Sequence, residues 1–111
     1  LLGAAGLGDI GRHFPDTSED FKDADSWVLL QLTGKQLDAK GFRIINIDST
    51  VIAQSPKLAP YINEMRERIA SALGITVSQV NVKAKTAEKL GPVGELKSME
   101  ARAVVLLNCQ D

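Results

Sequence analysis

The feature that most restricts the fold is a run of strand-forming residues, 42–54, followed by a helical pattern and a second strand pattern. β-Branched residues dominate this run, and a bulge near Ile44 would account for its broken alternation. Residues 61–73 place apolar side chains at helical spacing, and Gly74 is positioned to end that helix. Val80–Lys85 alternates strictly, as a half-buried strand does.

The remaining segments predict a helix, two loops and a third strand. Residues 26–40 are roughly helical, with Asp25 or Ser26 as the cap and Gly41 at the end. Residues 9–25 show no period and predict a long loop, a kind of segment that often binds ligands. A turn-rich segment around Gly91, Pro92 and Gly94 precedes residues 100–108, which predict a strand that is buried over 103–107.

Together these elements predict one α+β (α/β-like) domain over residues 1–111, in which helices pack on one face of a mixed β-sheet. The open face of such a sheet needs a partner, and a symmetric oligomer is the usual one. The chain opens without methionine, in an apolar stretch that resembles the end of a helix stopped by Gly8. We therefore expect the chain to be a fragment.

Composition excludes several classes of function. The 111 residues carry 13 Lys and Arg against 14 Asp and Glu, a formal net charge of −1. Charge this balanced gives no general attraction to nucleic acid or to anionic lipid, and the apolar runs are too short to span a membrane. We expect neither partner. The single cysteine, Cys109, cannot close an internal disulfide, which favours a reducing compartment, and we expect it to be a small core residue.

Nucleophilic catalysis and a zinc site have little support in these residues. The only histidine, His13, lies in the predicted loop, where we expect it to be solvated. Zinc held by protein alone needs clustered Cys or His residues, which the chain lacks.

Three other segments carry more chemistry, although each also has a purely structural explanation. Residues 8–17 place two carboxylates on one glycine-containing loop, where Asp usually serves turns. Residues 53–57 and 85–89 each follow a strand, at the sheet edge where ligands often bind. The second of these offers Thr86 for a phosphate and Glu88 for a divalent cation. Two such strand ends are compatible with a phosphorylated ligand and Mg²⁺, and equally with ordinary turns.

Taken together, these segments resemble the 2-C-methyl-D-erythritol 2,4-cyclodiphosphate synthase family of the non-mevalonate isoprenoid pathway. Five stretches occur in the family's order and spacing. They are Leu-Gly-Ala-Ala-Gly-Leu-Gly-Asp-Ile-Gly at 2–11, Phe-Pro-Asp-Thr at 14–17, Asn-Ile-Asp at 46–48, Ala-Gln-Ser-Pro-Lys at 53–57 and Val-Asn-Val-Lys-Ala-Lys-Thr-Ala-Glu-Lys-Leu-Gly at 80–91.

The resemblance implies an enzyme, a phosphorus–oxygen lyase that cyclises 4-diphosphocytidyl-2-C-methyl-D-erythritol 2-phosphate and releases CMP. The substrate's own 2-phosphate attacks the β-phosphorus, so the protein supplies no nucleophile. It implies Zn²⁺ together with Mg²⁺ or Mn²⁺ as cofactors. It also implies a homotrimer whose sheets pack around a threefold axis, with each site between adjacent subunits. The implied location is the bacterial cytoplasm, or the plastid for a plant or algal protein.

Site residues also follow from the resemblance. Thr86 is implied to steady the transition-state phosphate, and Glu88 to be both catalytic and the Mg²⁺ ligand. The substrate-binding loop and the flexible flap over it would comprise Asp9, Ile10, Gly11, Phe14, Pro15, Asp16, Thr17 and Ser18. The nucleotide-binding residues would be Ala53, Gln54, Ser55, Pro56, Lys57, Leu58, Ala59, Ala84, Lys85, Thr86 and Ala87, with Lys57 near the diphosphate.

The sequence departs from the family in several places, two of which bear on the proposed site. The resemblance covers the C-terminal two thirds of such an enzyme, so the zinc ligands are expected in an N-terminal segment that precedes this chain, and no residue here inherits that role. Many family members have Thr or another polar residue where Lys85 and Ala87 stand. The alternative is therefore a non-catalytic trimer, either a cytidine-nucleotide-binding protein or a structural remnant without the zinc site.

Overall fold

The computed structural model describes residues 1–21, 23–86, 88, 90–95 and 98–109, and it forms a three-stranded sheet with helices. The elements in chain order are α1 (Ile10–His13), α2 (Ser26–Ala39), β1 (Phe42–Ile52), α3 (Ile62–Leu73), β2 (Val80–Lys85), α4 (Gly91–Gly94) and β3 (Glu100–Cys109). Short 3₁₀ turns, Ala59–Tyr61 and Val77–Gln79, precede α3 and β2. Within the described part of the chain, every helix is too short or too polar to cross a lipid bilayer.

The central strand of the sheet is β1. It pairs in parallel with β2 and antiparallel with β3, which confirms the predicted mixed sheet. The register with β3 shifts between Ile44 and Asn46, so the predicted bulge is also confirmed. The side-chain amide of Gln79 donates to the carbonyls of Ile44 and Ile45, at 3.0 and 3.2 Å. Gln79 thus supplies hydrogen-bond donors to two carbonyls at the bulge. Without Gln79, these carbonyls would need other donors.

The helices cover one face of the sheet, as predicted. Ile44 and Ile47 of β1 form a buried cluster with Leu37 of α2, and Val80 and Val82 of β2 form another with Ala70 of α3. Between the two helices, the Trp27 indole N–H donates to the Arg68 carbonyl at 3.0 Å, and the Arg68 guanidinium lies over the indole ring.

The opposite face is open in this chain, which corrects the expectation of a buried third strand. Val104 and Leu106 of β3 are 75% and 61% exposed. Cys109, at the end of the same strand, was expected to be a core residue. It is instead exposed. Apolar residues occupy both faces of β3. The apolar run in the sequence therefore did not show which face of the strand is covered by the helices.

Polar groups occupy the β2 side of this open face. The Asp48 carboxylate accepts hydrogen bonds from the Asn81 side-chain amide and the Lys83 ammonium, both at 3.0 Å. These two bonds favour the ionised form and lower the pKa of Asp48 from its ordinary value, with the charge of Lys83 adding to the effect.

The helix ends follow the sequence with one correction. Asp25 caps α2 by accepting from the Trp27 N–H at 2.9 Å, and Gly74 ends α3 in the left-handed conformation, φ 66°. The opening turn, however, ends at Gly6 (φ 70°) and not at Gly8. The Leu7 N–H donates to the Leu2 carbonyl at 2.9 Å and the Gly6 N–H to the Gly3 carbonyl at 3.0 Å, the paired bonds of a Schellman motif.

The segment 9–25 is less irregular than a long loop. Its first residues form the single turn α1, because the Asp9 carboxylate accepts from the Arg12 N–H at 2.9 Å and caps it. His13, expected to be solvated, is half-buried, and its Nε2 donates to the Leu7 carbonyl.

Candidate functional site

The carboxyl ends of β1 and β2 lie side by side and open into a pocket of about 240 Å³. Ile52 is in register with Lys85, and the Ala53 N–H donates to the Lys85 carbonyl at 3.0 Å, which joins the two chain segments beyond the strands. We call this the strand-end pocket. Its lining residues are Ala53, Gln54, Pro56, Lys57, Leu58, Ala59, Ala84, Lys85 and Thr86.

Every described lining residue of the strand-end pocket belongs to the set predicted to bind the nucleotide. The two predicted segments are far apart in sequence, and the parallel pairing of β1 with β2 brings them together. Ser55 is not among the lining residues, although it lies in the same turn. Ala87 lies outside the described residues.

Positive charge is concentrated at the strand-end pocket. Lys57 and Lys85 both line it, and both side chains are exposed. Neither ammonium group has an ion-pair partner among the residues that the structure describes. Two unpaired cations beside a small, largely apolar cleft are suited to a ligand with a flat apolar part and an anionic part.

A second pocket of about 430 Å³ adjoins the first and shares Lys85 and Thr86 with it. We call this the Thr86–Glu88 pocket. The Glu88 N–H donates to the Thr86 hydroxyl oxygen at 3.3 Å, and that hydroxyl lies 3.5 Å from the Glu88 carboxylate. The structure therefore brings together the two residues that were predicted to be catalytic. The described lining residues are Ile52, Lys85, Thr86, Glu88, Leu90, Gly91, Pro92 and Glu100.

The donor set at this pocket fits magnesium and does not fit zinc. Mg²⁺ is commonly held by one or two protein carboxylates together with substrate phosphates, and Glu88 and Glu100 both line the pocket. Across the described ranges, no three His, Cys, Asp or Glu side chains are grouped closely enough to hold a metal ion by themselves. A zinc site needs such a group, so the described residues provide none.

The predicted substrate loop forms a separate pocket of about 530 Å³, which we call the flap pocket. Its lining comprises Ile10, Gly11, Phe14, Pro15, Asp16, Thr17, Phe21, Asp23, Ala24 and Leu29. Asp9 lines a neighbouring cleft instead, and its carboxylate is engaged in capping α1. Ser18 is half-buried and is not among the lining residues of the flap pocket.

An aromatic pair closes the loop around this pocket. The buried ring of Phe14 meets that of Phe21 edge-on, with ring centroids 5.2 Å apart. Between them, the Ser18 N–H donates to the Pro15 carbonyl and the Phe21 N–H to the Ser18 carbonyl, both at 3.1 Å. Phe21 was not among the predicted site residues, although an aromatic residue near the end of a polar loop is a detectable signal for an anchor.

The flap pocket and the strand-end pocket have no described lining residue in common. The resemblance implies a site between adjacent subunits, and in a single chain the two segments form distinct pockets. Glu100 was also missed at the Thr86–Glu88 pocket. It reaches that position because β3 pairs antiparallel with β1, which places Glu100 opposite Ile52.

A further pocket of about 540 Å³ lies at the other end of β1. Its lining includes Gly34, Phe42, Ile44, Thr76 and Gln79. Gln79 is already engaged there, because its amide nitrogen binds two bulge carbonyls and its oxygen accepts from the Thr76 N–H at 2.9 Å. We call it the amino-end pocket.

Comparison with known proteins decides the family. The model of the YgbB family matches residues 1–108. The chain belongs to the YgbB family. Over 107 residues it is 66% identical to the bifunctional enzyme IspD/IspF of Albidiferax ferrireducens, covering 96% of this chain and 26% of that relative. It is 60% identical to the 2-C-methyl-D-erythritol 2,4-cyclodiphosphate synthase of Neisseria gonorrhoeae, covering 96% of this chain and 67% of the relative.

Solved structures of this YgbB family agree with the fold. The bifunctional IspDF of Campylobacter jejuni superposes with a TM-score of 0.92 at 45% identity, covering 99% of this chain and 30% of that one. The CDP complex of IspF from Plasmodium falciparum gives 0.84 at 37% identity, covering 99% and 65%. The predicted resemblance to cyclodiphosphate synthases is therefore confirmed, and the chain spans only part of each of these relatives.

Proposed function

We propose that this protein is a 2-C-methyl-D-erythritol 2,4-cyclodiphosphate synthase, which converts 4-diphosphocytidyl-2-C-methyl-D-erythritol 2-phosphate to the cyclic diphosphate and CMP. The observation that carries the proposal is the strand-end pocket, since all its lining residues come from the two segments predicted to hold the nucleotide. A relative of the same fold was solved as a CDP complex, which supports a cytidine nucleotide as the ligand. The bacterial relatives support a cytoplasmic location as part of the proposal.

The reaction requires positioning and charge neutralisation, and it requires no protein nucleophile. An oxygen of the substrate's 2-phosphate forms a bond to the β-phosphorus, the bond from that phosphorus to the oxygen bridging to the α-phosphate breaks, and CMP leaves with the electron pair. The cytidine occupies the strand-end pocket. The Thr86 hydroxyl, next to it, donates to a phosphoryl oxygen as negative charge develops there.

Glu88 is the residue in this chain that would hold Mg²⁺ or Mn²⁺, jointly with phosphate oxygens. When bound, the cation neutralises charge on the diphosphate during transfer. Glu100 lines the same pocket, with its carboxylate 3.8 Å from the Arg102 guanidinium, and is the candidate for a second carboxylate ligand. The proposal assigns no described residue to zinc, because these residues include no group of three His, Cys, Asp or Glu side chains that could hold a metal ion.

A homotrimer with each site between neighbouring subunits is part of the proposal. Two observations support it: the two predicted parts of the site form separate pockets in one chain, and one face of the sheet exposes Val104 and Leu106. Association through that face would cover apolar surface, and a neighbour's flap pocket would complete the site.

The experiment compares this chain alone with a chimera in which the part of the Neisseria gonorrhoeae relative that it does not span precedes Leu1. CMP release from the substrate is followed with Mg²⁺ and Zn²⁺ present. The proposal predicts turnover by the chimera and its loss on Thr86→Ala. A chimera that binds CDP without turnover favours the non-catalytic alternative. The observation that supports this alternative is a strand-end pocket with no zinc site among the described residues. Absence of both turnover and CDP binding contradicts both functions.

A further inference from the structure

The single histidine of the chain, His13, joins the short turn α1 to the core. It is the last residue of α1, it is half-buried, and its Nε2 donates to the Leu7 carbonyl. A carbonyl oxygen can only accept, so the imidazole carries a proton on Nε2. Leu7 is itself held in place, because its side chain packs against the buried cluster around Leu37 and its N–H donates to the Leu2 carbonyl at 2.9 Å.

The backbone between Leu7 and α1 bends at a glycine. Gly8 has a φ of 90°, a positive angle that glycine adopts without steric penalty. The capping carboxylate of Asp9 accepts from the Arg12 N–H at 2.9 Å, a bond that closes the turn and does not join it to the core. The bond from His13 spans Gly8 and connects the end of α1 directly to Leu7.

The turn that His13 holds forms one wall of the flap pocket. Ile10 and Gly11 line this pocket, and so does Phe14, which follows His13 in the chain. The Phe14 N–H donates to the Ile10 carbonyl at 2.8 Å, and the rings of His13 and Phe14 are tilted by 51° with centroids 6.3 Å apart. His13 is not among the lining residues, so it would affect this wall through its neighbours.

We propose that His13 is a positioning residue for the substrate, because its bond to the Leu7 carbonyl keeps the α1 wall of the flap pocket in place. The inference rests on the proposed function, in which the flap pocket receives the methylerythritol part of the substrate. The role requires an N–H donor at the position of Nε2, and it requires neither the charge nor the basicity of the imidazole. Substitutions that keep the donor and substitutions that keep only the ring should therefore differ.

The test measures kcat and KM of the chimera for two substitutions of this residue. His13→Phe keeps an aromatic ring and removes the donor, so we expect KM to rise about fivefold, as for the loss of one hydrogen bond, with kcat and CDP affinity within about twofold. His13→Gln brings a side-chain N–H within reach of the same carbonyl and should keep KM within about twofold. Amide hydrogen exchange at Phe14 should become faster in His13→Phe and not in His13→Gln.

The matched control is Trp27→Phe, which also removes an aromatic ring N–H that donates to a backbone carbonyl, that of Arg68 at 3.0 Å. This variant should lower the thermal unfolding midpoint and leave KM unchanged, which separates positioning from a general loss of stability.

Three results would overturn the inference while the proposed function stands. They are an unchanged KM in His13→Phe, an equal rise in KM in Trp27→Phe, and a His13→Gln variant that behaves like His13→Phe. A chimera that shows no turnover before any substitution would overturn the proposed function, and this inference with it.

Discussion

The two ends of β1 differ in how their polar groups are used. At the amino end, the larger pocket of about 540 Å³ is lined by Gln79, whose side chain already binds two bulge carbonyls and a backbone N–H. At the carboxyl end, a smaller pocket of about 240 Å³ is lined by Lys57 and Lys85, which have no ion-pair partners among the described residues. The proposed ligand site is therefore the end of β1 whose polar groups are available, although the pocket there has the smaller volume.

The largest effect should come from Glu88 at the carboxyl end. In the chimera, Glu88→Gln should lower turnover on the order of 10²- to 10³-fold, because a neutral amide holds the cation poorly. CDP affinity without metal should stay within about twofold. Asp38→Asn, which changes a residue lining the amino-end pocket, is the control and should leave turnover unchanged. Equal losses of turnover in Glu88→Gln and Asp38→Asn would show that the two ends of β1 do not differ in function.

At the amino end, Gln79→Ala should affect stability and not binding. It leaves the bulge carbonyls of Ile44 and Ile45 without this donor, and we expect a loss of about 1–3 kcal/mol in the free energy of unfolding. Denaturant unfolding measures it. Gln79→Glu keeps an acceptor for the Thr76 N–H but loses the donor, so it should lose stability as well. Reduced CDP affinity with unchanged stability would mean that the amino-end pocket is the ligand site.

The flap should affect the substrate and not the nucleotide. Phe21→Ala removes the edge-on contact with Phe14, worth about 1 kcal/mol, and we expect a roughly fivefold rise in the KM of the chimera. CDP affinity should not change, because the flap pocket and the strand-end pocket share no described lining residue. Phe21→Leu keeps the apolar volume and should recover part of the effect. A change in the CDP affinity of Phe21→Ala would instead show that the flap pocket and the strand-end pocket are coupled.

The smallest effect should come from the middle of β1, at Asp48. The pKa of Asp48 is lowered in the folded chain, so its contribution to stability is present above its ordinary pKa and is lost as pH falls through the folded value. Asp48→Asn should therefore reduce the loss of stability between about pH 5 and pH 2. Unfolding midpoints across that range measure the change. If Asp48→Asn leaves the loss of stability at acid pH unchanged, the hydrogen bonds of Asp48 to Asn81 and Lys83 contribute nothing measurable to stability.

Elements with a clear period and a recognisable cap were predictable from the sequence. The spacing of residues 61–73 and the position of Gly74 define α3, and strict alternation defines β2. The turn α1 was missed because four residues are too few to show a helical period. The choice between Gly6 and Gly8 as the helix end depends on which glycine receives the Schellman bonds, and both have positive φ.

The strand-end pocket was predictable from the sequence, because strand order alone brings its two segments together. Residues 53–59 follow β1 and residues 84–86 lie at the end of β2, so parallel pairing places them at one edge. Phe21 and Glu100 were not predicted, because their positions depend on a ring contact within a loop and on the register of β3 with β1. The exposure of Val104 was also beyond the sequence, since an apolar run does not show which side is covered.

The most direct test of the central claim is a titration of the ¹⁵N-labelled chain with CDP, followed by amide chemical shifts. The account predicts saturable shifts at Gln54, Lys57, Lys85 and Thr86, with the amides of Thr76 and Gln79 unchanged. Shifts centred on Thr76 and Gln79, or no saturable shifts anywhere, would contradict the assignment of the ligand site to the carboxyl ends of β1 and β2.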